Sequence, residues 1–470
     1  MPLSAQLIPI HYYPNSADWF VQIRHLAMPI WLDSGHPHSS YGRFDILSAA
    51  PAVSLNTVDG VTRIQQGDLS ETSTQNPFSV LQSYLPPVQP SLEQVPFCGG
   101  ALGYFGYDLG RYLERLPDAA LKDIALPDMS IGLYPWAIVQ DHHKMQAWLV
   151  INKAVAVAYN FLEIKDICLV STQNTRFHDL KQNLKSPSNS FKINSFKSNL
   201  KVGDYHLAIQ KIQRYISAGD CYQVNFAQRF SANCQGDSFE AYLALRDALP
   251  SPFSAYMELP EGAILSLSPE RFIKLEQNQA ETKPIKGTIA RGKTPEEDTA
   301  NAMALESSLK DRAENLMIVD LLRNDLSKSC TDVKVPELFS LQSFANVHHL
   351  VSTVTGTLKP NKTAVDLLAN SFPGGSITGA PKIRAMEIIE ELEPVRRSLY
   401  CGSLGYISAC GNMDTSIAIR TLIRDKNKIH CWGGGGIVAD SEPNKEYQET
   451  IAKVKVLLDT LEENFSQTPS

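Results

Sequence analysis

Residues 283–293 read K-P-I-K-G-T-I-A-R-G-K, four cations in eleven residues of a chain whose formal net charge is -7. Pro284 fixes one backbone dihedral and Gly287 frees another, so Lys286 sits in a tight, preset turn. In isolation such a stretch is equally well a solvated basic turn. The rest of the chain shifts the balance, because it supplies two carboxylate pairs, a glycine run and further helix starts suited to magnesium and a small polyanion.

Downstream, T-P-E-E at 294–297 has the pattern of a capping box with proline at the first helical position. The spacing predicts one helix continuing through Leu305, Leu309, Ala313 and Leu316. Asp311 and Glu314, three apart on it, share a face. Glu446 and Glu449 repeat that spacing on a last helix that starts near 441–443. Its apolar stripe is Tyr447, Ile451, Val454, Leu458, Leu461 and Phe465. Two such pairs on facing helices suit magnesium, which takes few protein carboxylates and completes its shell with water and substrate oxygens. Each pair alone is also an ordinary solvated face, and Glu449 with Lys453 is also an exposed i,i+4 ion pair worth about 0.3–0.5 kcal/mol. The W-G-G-G-G run at 432–436 follows a predicted strand and reads as successive N–H groups forming an anion nest, as a flexible turn, or as close backbone packing. P-G-G-S-I-T-G-A-P-K at 373–382 leads into a helix start able to receive a carboxylate, but it is no Walker loop. Arg420 alternates with apolar residues as on a strand and has the geometry to grip a carboxylate bidentately, although a surface arginine reads the same way. His348 and His349 point to opposite sides of a strand, so one is structural and the other a candidate proton carrier.

Upstream, residues 1–175 are rich in short strands. Residues 176–200 are polar and aperiodic, which reads as a linker. Tyr205, Ile209, Ile212 and Ile216 mark a helix, residues 222–230 a strand, 239–249 a helix, and 263–275 a hairpin turning at S-P-E. The final five residues are expected to be disordered. The 470 residues exceed one simple core. The 43% hydrophobic and 20% charged content is that of a soluble globular protein. Mild acidity argues against nucleic-acid binding. There is no apolar run of about 18 residues, so no membrane span is expected, and no signal peptide is read. Eight cysteines without a C-x-x-C pair read as reduced thiols of a cytoplasmic protein, not a zinc site.

Taken together, the motifs resemble the chorismate-utilising enzymes. The matching stretches are residues 219–230, 268–270, 284–288, 311–325, 347–354, 373–387, 402–420 and 433–453, nearly all of 202–462. The N-terminal half matches less densely, at 31–34 and 99–108. Within the family, anthranilate synthase typically has alanine at the position of Lys286. Isochorismate and salicylate synthases typically have lysine at that of Gln223. The chain therefore resembles the amino-transferring branch that works at C4. It departs from common forms at Asn315, often histidine, and at Ile289–Ala290, often Arg-Pro.

The resemblance implies an α+β fold of large, mainly antiparallel sheets in a sandwich covered by helices, like anthranilate synthase component I. It implies an N-terminal region at 1–175, a linker at 176–201 and a chorismate-binding catalytic domain at 202–462. It implies magnesium held by Glu314 and Glu449 with Asp311 and Glu446. Lys453 and the N–H groups of Gly434, Gly435 and Gly436 would meet the same end of chorismate, and Tyr406 and Arg420 the enolpyruvyl carboxylate. Thr288 and Thr378 complete the expected substrate contacts. Glu270 is the implied general acid, Lys286 the nucleophile and His349 a proton carrier. The expected product is 4-amino-4-deoxychorismate, a precursor of 4-aminobenzoate and folate, which would class the enzyme with the transaminases. No G-x-C-x-G segment of a glutamine amidotransferase is present, so ammonia is expected from a separate glutaminase subunit in a heterodimer. Leu32 and Ser34 mark an expected amino-acid pocket, which in anthranilate synthase takes tryptophan. Two other readings are an anthranilate-forming enzyme and a non-catalytic amino-acid-binding regulator.

Overall fold

The computed structural model describes residues 5–37, 42–157, 159–170, 190–260, 262–343 and 347–466. Part of the expected linker, 176–189, and most of the expected disordered tail, 467–470, lie outside the described residues.

Apolar alternation along the strands builds two sheets. In the strand Gly262–Ser268, Ile264 faces the core between the sheets, while Ala263, Leu265 and Leu267 face a second core under helices. Among the described residues the first sheet has 13 strands. It runs from Gln6–Ile10 through Ile30–Asp33, Phe253–Leu259, Gly262–Ser268, Thr421–Asp425 and Lys428–Ile437 to Gln223–Gln235. The second has 12. It runs from Ile285–Ala290 through Val347–Leu358, Arg271–Glu276, Met413–Ile417, Ser403–Ser408 and Gly100–Phe105 to Leu69–Ser73. Pairing is antiparallel, and the architecture is the expected α+β sandwich.

Both sheets mix early and late strands. Ile30–Asp33 pairs with Phe253–Leu259, and Gly100–Phe105 with Ser403–Ser408. The described end of the expected linker is structured: Lys192–Ile193 and Lys197–Ser198 pair with Gln223–Gln235. Its polar composition hides two buried anchors, Phe191 and Ile193. Helices Ser238–Ala248 and Pro443–Phe465 cover the outer face of the first sheet, and Val202–Ser217 and Lys382–Leu392 cover Val224 and Phe226.

Four local expectations change or narrow. The 263–275 hairpin does not form, because Gly262–Ser268 belongs to the first sheet and Arg271–Glu276 to the second. The single helix from 294 is two helices, Pro295–Ser307 and Leu309–Ser329. Ser308 accepts the Asp311 N–H and restarts the helix, which turns its face: Leu309 is 83% and Leu316 53% exposed, while Ile318, Val319, Leu322 and Leu326 are buried. The capping box is half formed, since Thr294 accepts from Glu297 N–H at 3.2 Å but the Glu297 carboxylate accepts from Lys293. Finally, of the readings of the glycine run the turn and the nest fall away and close packing stands, because the run is part of the strand Lys428–Ile437.

Candidate active site

The site grows where the chain twice crosses between the sheets. It leaves the first sheet at Ser268 and enters the second at Arg271. It returns from Ile417 to Thr421. The crossings bond to each other: Ile417 N–H donates to the Glu270 carbonyl and Leu267 N–H to the Arg420 carbonyl, both at 3.0 Å. Glu270 and Arg420 thus stand at the sheet junction. Arg420 is not a strand residue as its neighbours imply. Its φ of 49° lies in the left-handed region, which side-chain-bearing residues seldom occupy.

A cavity of about 580 Å³ opens here, lined among others by Lys286, Glu270, Glu314, Arg420, Glu449 and Lys453. Lys286 arrives on the strand Ile285–Ala290, whose register against Val347–Leu358 shifts between Ile285 and Thr288. Gly287, φ 79°, lets this strand close onto the acidic helix: an added Cβ would lie 3.1 Å from the Asp311 side chain. Lys286 Nζ donates to the Ser376 carbonyl at 3.1 Å, and the Ser376 hydroxyl donates to Glu270 Oε1 at 2.9 Å. Burial pushes the Glu270 carboxyl above its ordinary value against the pull of Lys286. Burial likewise holds Lys286 below the usual lysine value, although Glu270 and Glu314 oppose this.

Thr288 and His349 meet through a 2.8 Å hydrogen bond at His349 Nδ1. Burial, then Arg420, lowers the His349 pKa to about 4, so its imidazole is neutral at pH 7. His348 faces away and is structural, bonded to Asp298 at 2.9 Å and to Ser343 at 2.8 Å. Among the described residues no carboxylate lies in ion-pair contact with Arg420, and burial lowers its pKa against the pull of Glu270. Its guanidinium is available to an anionic ligand.

The four carboxylates come from two helices. Asp311 and Glu314 project from Leu309–Ser329, Glu446 and Glu449 from Pro443–Phe465, and all four line the cavity. Burial raises the pKa of Glu314, and Asp311 and Glu446 add to the rise. Burial also raises Glu446, helped by Glu449. Burial opposes the opposite shift at Glu449, where Lys453, 2.6 Å away, wins and lowers the pKa. Lys310 stands 3.9 Å from Glu314. The acids thus repel one another despite two nearby ammonium groups. Such a donor set fits a hard divalent cation that keeps open positions. Among the described residues no group of three or more His, Cys, Asp or Glu side chains is drawn together as a metal site, so the cation would have to gather the carboxylates from the two helices.

The glycines are explained by what occupies their side-chain space. An added Cβ would lie 2.1 Å from the Thr450 carbonyl at Gly433, 2.7 Å from the Tyr400 hydroxyl at Gly434 and 2.2 Å from Gln223 Nε2 at Gly436. At Gly435 it would meet Glu446 at 3.4 Å. Main-chain direction alternates along the strand. Ala227 and Asn225, opposite Gly434 and Gly436, turn their N–H groups away to Glu393 and the Thr378 carbonyl. Gly434 and Gly436 therefore turn their own N–H groups to the free edge, and Lys453 Nζ meets the Gly434 carbonyl there at 2.9 Å. Gly435 turns its N–H to Phe226.

Two expected substrate residues lie elsewhere. The Thr378 hydroxyl is fully buried and donates to the Gly374 carbonyl at 3.0 Å, fixing the turn behind Ser376. Tyr406 pairs with Asp414 in the second sheet and lines a separate cavity of about 410 Å³, together with Leu32, Ser34 and Arg271. Tyr400, Trp432, Ser376, Asn225 and Lys310 were not anticipated yet line the site. Tyr400 stacks on Trp432 at 5.7 Å between centroids. Ser376, Asn225 and Trp432 fall inside the motifs already quoted, whereas nothing in R-R-S-L-Y marks Tyr400.

A family model described as chorismate binding enzyme matches residues 29–459. Aminodeoxychorismate synthase component 1 of Escherichia coli (strain K12) is 46% identical over 467 residues, 98% of this chain and 99% of its own length. The protein of the same name from Salmonella typhimurium is 46% identical over 468 residues, 98% of this chain and 99% of that one. The crystal structure of anthranilate synthase component I from Streptococcus pneumoniae TIGR4 superposes with a TM-score of 0.76 at 32% identity, covering 89% of this chain and 93% of that one.

Proposed function

The chain belongs to the chorismate binding enzymes, and we propose that within them it works as an aminodeoxychorismate synthase component 1, replacing the C4 hydroxyl of chorismate by ammonia. The observation that carries this reading is Lys286, which shares one cavity with Glu270 and the acidic helices. The near-complete match at 46% identity supports it. The anthranilate reading has the weaker support of 32–34% identity, and the family resemblance implies alanine there at the position of Lys286.

Glu270, whose carboxyl burial shifts toward its protonated form, donates a proton to the departing C4 oxygen, which leaves as water. Lys286, whose neutral amine burial favours, attacks C2 while both double bonds of the ring diene shift and the C4–O bond breaks. Ammonia then bonds to C4, both double bonds return to their first positions and the C2–N bond to Lys286 breaks. A proton released from nitrogen restores Glu270. Arg420 grips the enolpyruvyl carboxylate, which is retained. His349, neutral and oriented by Thr288, is a proton acceptor beside Lys286. Glu314 and Glu449, supported by Asp311 and Glu446, would hold magnesium, which neutralises the ring carboxylate when bound. Lys453 and the outward N–H groups of Gly434 and Gly436 serve that same end.

Ammonia comes from a separate glutamine amidotransferase subunit, a reading supported by the "component 1" in the relatives' name. The cavity at Leu32 and Ser34 takes an amino acid such as tryptophan. Its paired Arg271 and Asp414, 3.0 Å apart, offer both charges that a zwitterion needs.

The test is the product formed from chorismate, magnesium and high ammonium without a partner. The reading expects 4-amino-4-deoxychorismate and no pyruvate. Anthranilate with equimolar pyruvate overturns it, and unchanged chorismate with bound amino acid would favour the regulator instead.

A further inference from the structure

Two thiols meet outside the catalytic cavity, where the strands Gly100–Phe105 and Ser403–Ser408 run out together. Their antiparallel register pairs Gly100 with Ser408. One step on, the Ala409 N–H donates to the Gly99 carbonyl at 2.7 Å. The same pairing carried one residue further sets Cys410 beside Cys98. Facing residues of antiparallel strands have Cα atoms about 4.5–5.5 Å apart, inside the range of about 4.4–6.8 Å that a disulfide spans. Both sulfurs also share a neighbour, since Cys98 Sγ and Cys410 Sγ each lie 3.3 Å from the Ser408 hydroxyl oxygen.

The two differ in access and in acidity. Of the eight cysteines Cys410 alone is partly exposed, in a turn closed by the Gly411 N–H donating to the Ser408 carbonyl at 2.9 Å. Cys98 is 1% exposed. Hydrogen bonding from Cys98 is the largest influence on Cys410 and lowers its pKa from the ordinary thiol value to about 6. The same contact, with burial, pushes Cys98 up. At pH 7 Cys410 is therefore the thiolate of the pair and Cys98 keeps its proton. A partly exposed thiolate beside a second thiol is what peroxides attack and what a neighbouring sulfur resolves.

We propose that Cys98 and Cys410 form a reversible oxidation site for hydrogen peroxide, with Cys410 the sulfur attacked and Cys98 the one that resolves it. The Cys410 thiolate bonds to one peroxide oxygen as the O–O bond breaks, and the hydroxide released takes up a proton as water. The Cys98 sulfur then bonds to that of Cys410, the S–O bond breaks, and the hydroxyl departs as water with the Cys98 proton. Two electrons pass from the sulfurs to the peroxide. The new bond staples the wall of the second cavity. Pro96, two residues before Cys98, and Asn412, two after Cys410, both line that cavity, and the Phe97 ring packs edge-on against Tyr406 at 5.6 Å between centroids. The site is separate from the amination reading and goes beyond it.

The test is mass analysis and peptide mapping of the native full-length protein after brief exposure to hydrogen peroxide at pH 7 without reductant. The expected product is lighter by two hydrogen atoms, carries a cross-linked peptide joining Cys98 to Cys410, and returns to its first mass with dithiothreitol. Cys98→Ser is expected to stop at the sulfenic acid on Cys410, trapped there as a dimedone adduct. Cys98→Ala, which guards against misfolding of the serine variant, should give the same adduct. Cys410→Ser should give neither the cross-link nor an adduct on Cys98. Wild-type protein that keeps both thiols, or that joins either one to a different cysteine, overturns the proposal. So does a dimedone adduct on Cys98 in Cys410→Ser, which would reverse the order of attack.

Discussion

Ser376 joins the two central groups of the site: its carbonyl accepts from Lys286 Nζ at 3.1 Å, and its hydroxyl donates to Glu270 Oε1 at 2.9 Å. One residue of the 373–382 loop thus orients both the acid and the amine. Glu270→Gln keeps the shape and removes the transferable proton. Its kcat is expected to fall on the order of 10²–10⁴-fold with little change in chorismate KM. Ser376→Ala, which loses only the orienting bond, should fall far less. Steady-state amination assays read both.

The acidic helices carry a second prediction. Glu314→Gln and Glu449→Gln are each expected to raise the magnesium concentration for half-maximal activity about tenfold or more. Magnesium should also raise the melting temperature of the wild-type protein more than that of either variant. An unchanged magnesium dependence in both would remove the cation from these helices.

Two tyrosines separate the two cavities. Tyr400 lines the catalytic cavity and Tyr406 the other. Tyr400→Phe is expected to raise chorismate KM while leaving any stabilisation by tryptophan intact. Tyr406→Ala should do the reverse. Thermal melts with and without tryptophan, beside chorismate kinetics, read the pair.

Acid sensitivity follows from two buried imidazoles. His349 and His430 both have pKa values lowered to about 4 from the ordinary 6.5, by burial and then by Arg420 and Arg229 respectively. The unfolded chain therefore binds more protons between pH 6.5 and 4, and stability falls as pH drops through that window. Each histidine contributes about 3 kcal/mol to the loss once the pH is below its folded value. His349→Gln should abolish its share, measured by urea unfolding at pH 7 and pH 4.

The glycine run yields a contrast between fold and function. At Gly433 an added Cβ meets a main-chain carbonyl of the last helix at 2.1 Å, which cannot yield without moving the helix. Gly433→Ala is expected to destabilise by about 1–3 kcal/mol. At Gly435 the nearest atom is a Glu446 oxygen at 3.4 Å, a flexible side-chain end. Gly435→Ala should fold nearly as well and instead weaken magnesium dependence.

Local signals were legible where one element decided them. The 4-3 spacing of Tyr205, Ile209 and Ile212 and the stripe through Val454, Leu458 and Leu461 both mark helix faces that are buried. The failures have a common cause, which is partner choice at long range. Nothing in S-P-E says that residues 262–268 and 271–276 enter different sheets, and that crossing is what puts Glu270 at the junction. Likewise Arg420, amid apolar residues, reads as a strand until its neighbours prove to belong to separate sheets. Ser308, with neither proline nor a capping box after it, carries little cap signal, so the buried face of the helix bearing Asp311 and Glu314 is not legible from the 294–316 spacing. Tyr406 and Thr378 were named from the motif alone. Which way a strand or turn aims a side chain depends on register, which the motif does not encode.

The most direct check on the covalent role of Lys286 is the mass of the protein after incubation with chorismate and magnesium in the absence of ammonia. The account predicts a fraction heavier by chorismate less one water, mapping to the peptide that carries Lys286, discharged on adding ammonium and missing from Lys286→Ala. Protein of unchanged mass, together with Lys286→Ala that turns over as fast as wild type, would contradict it.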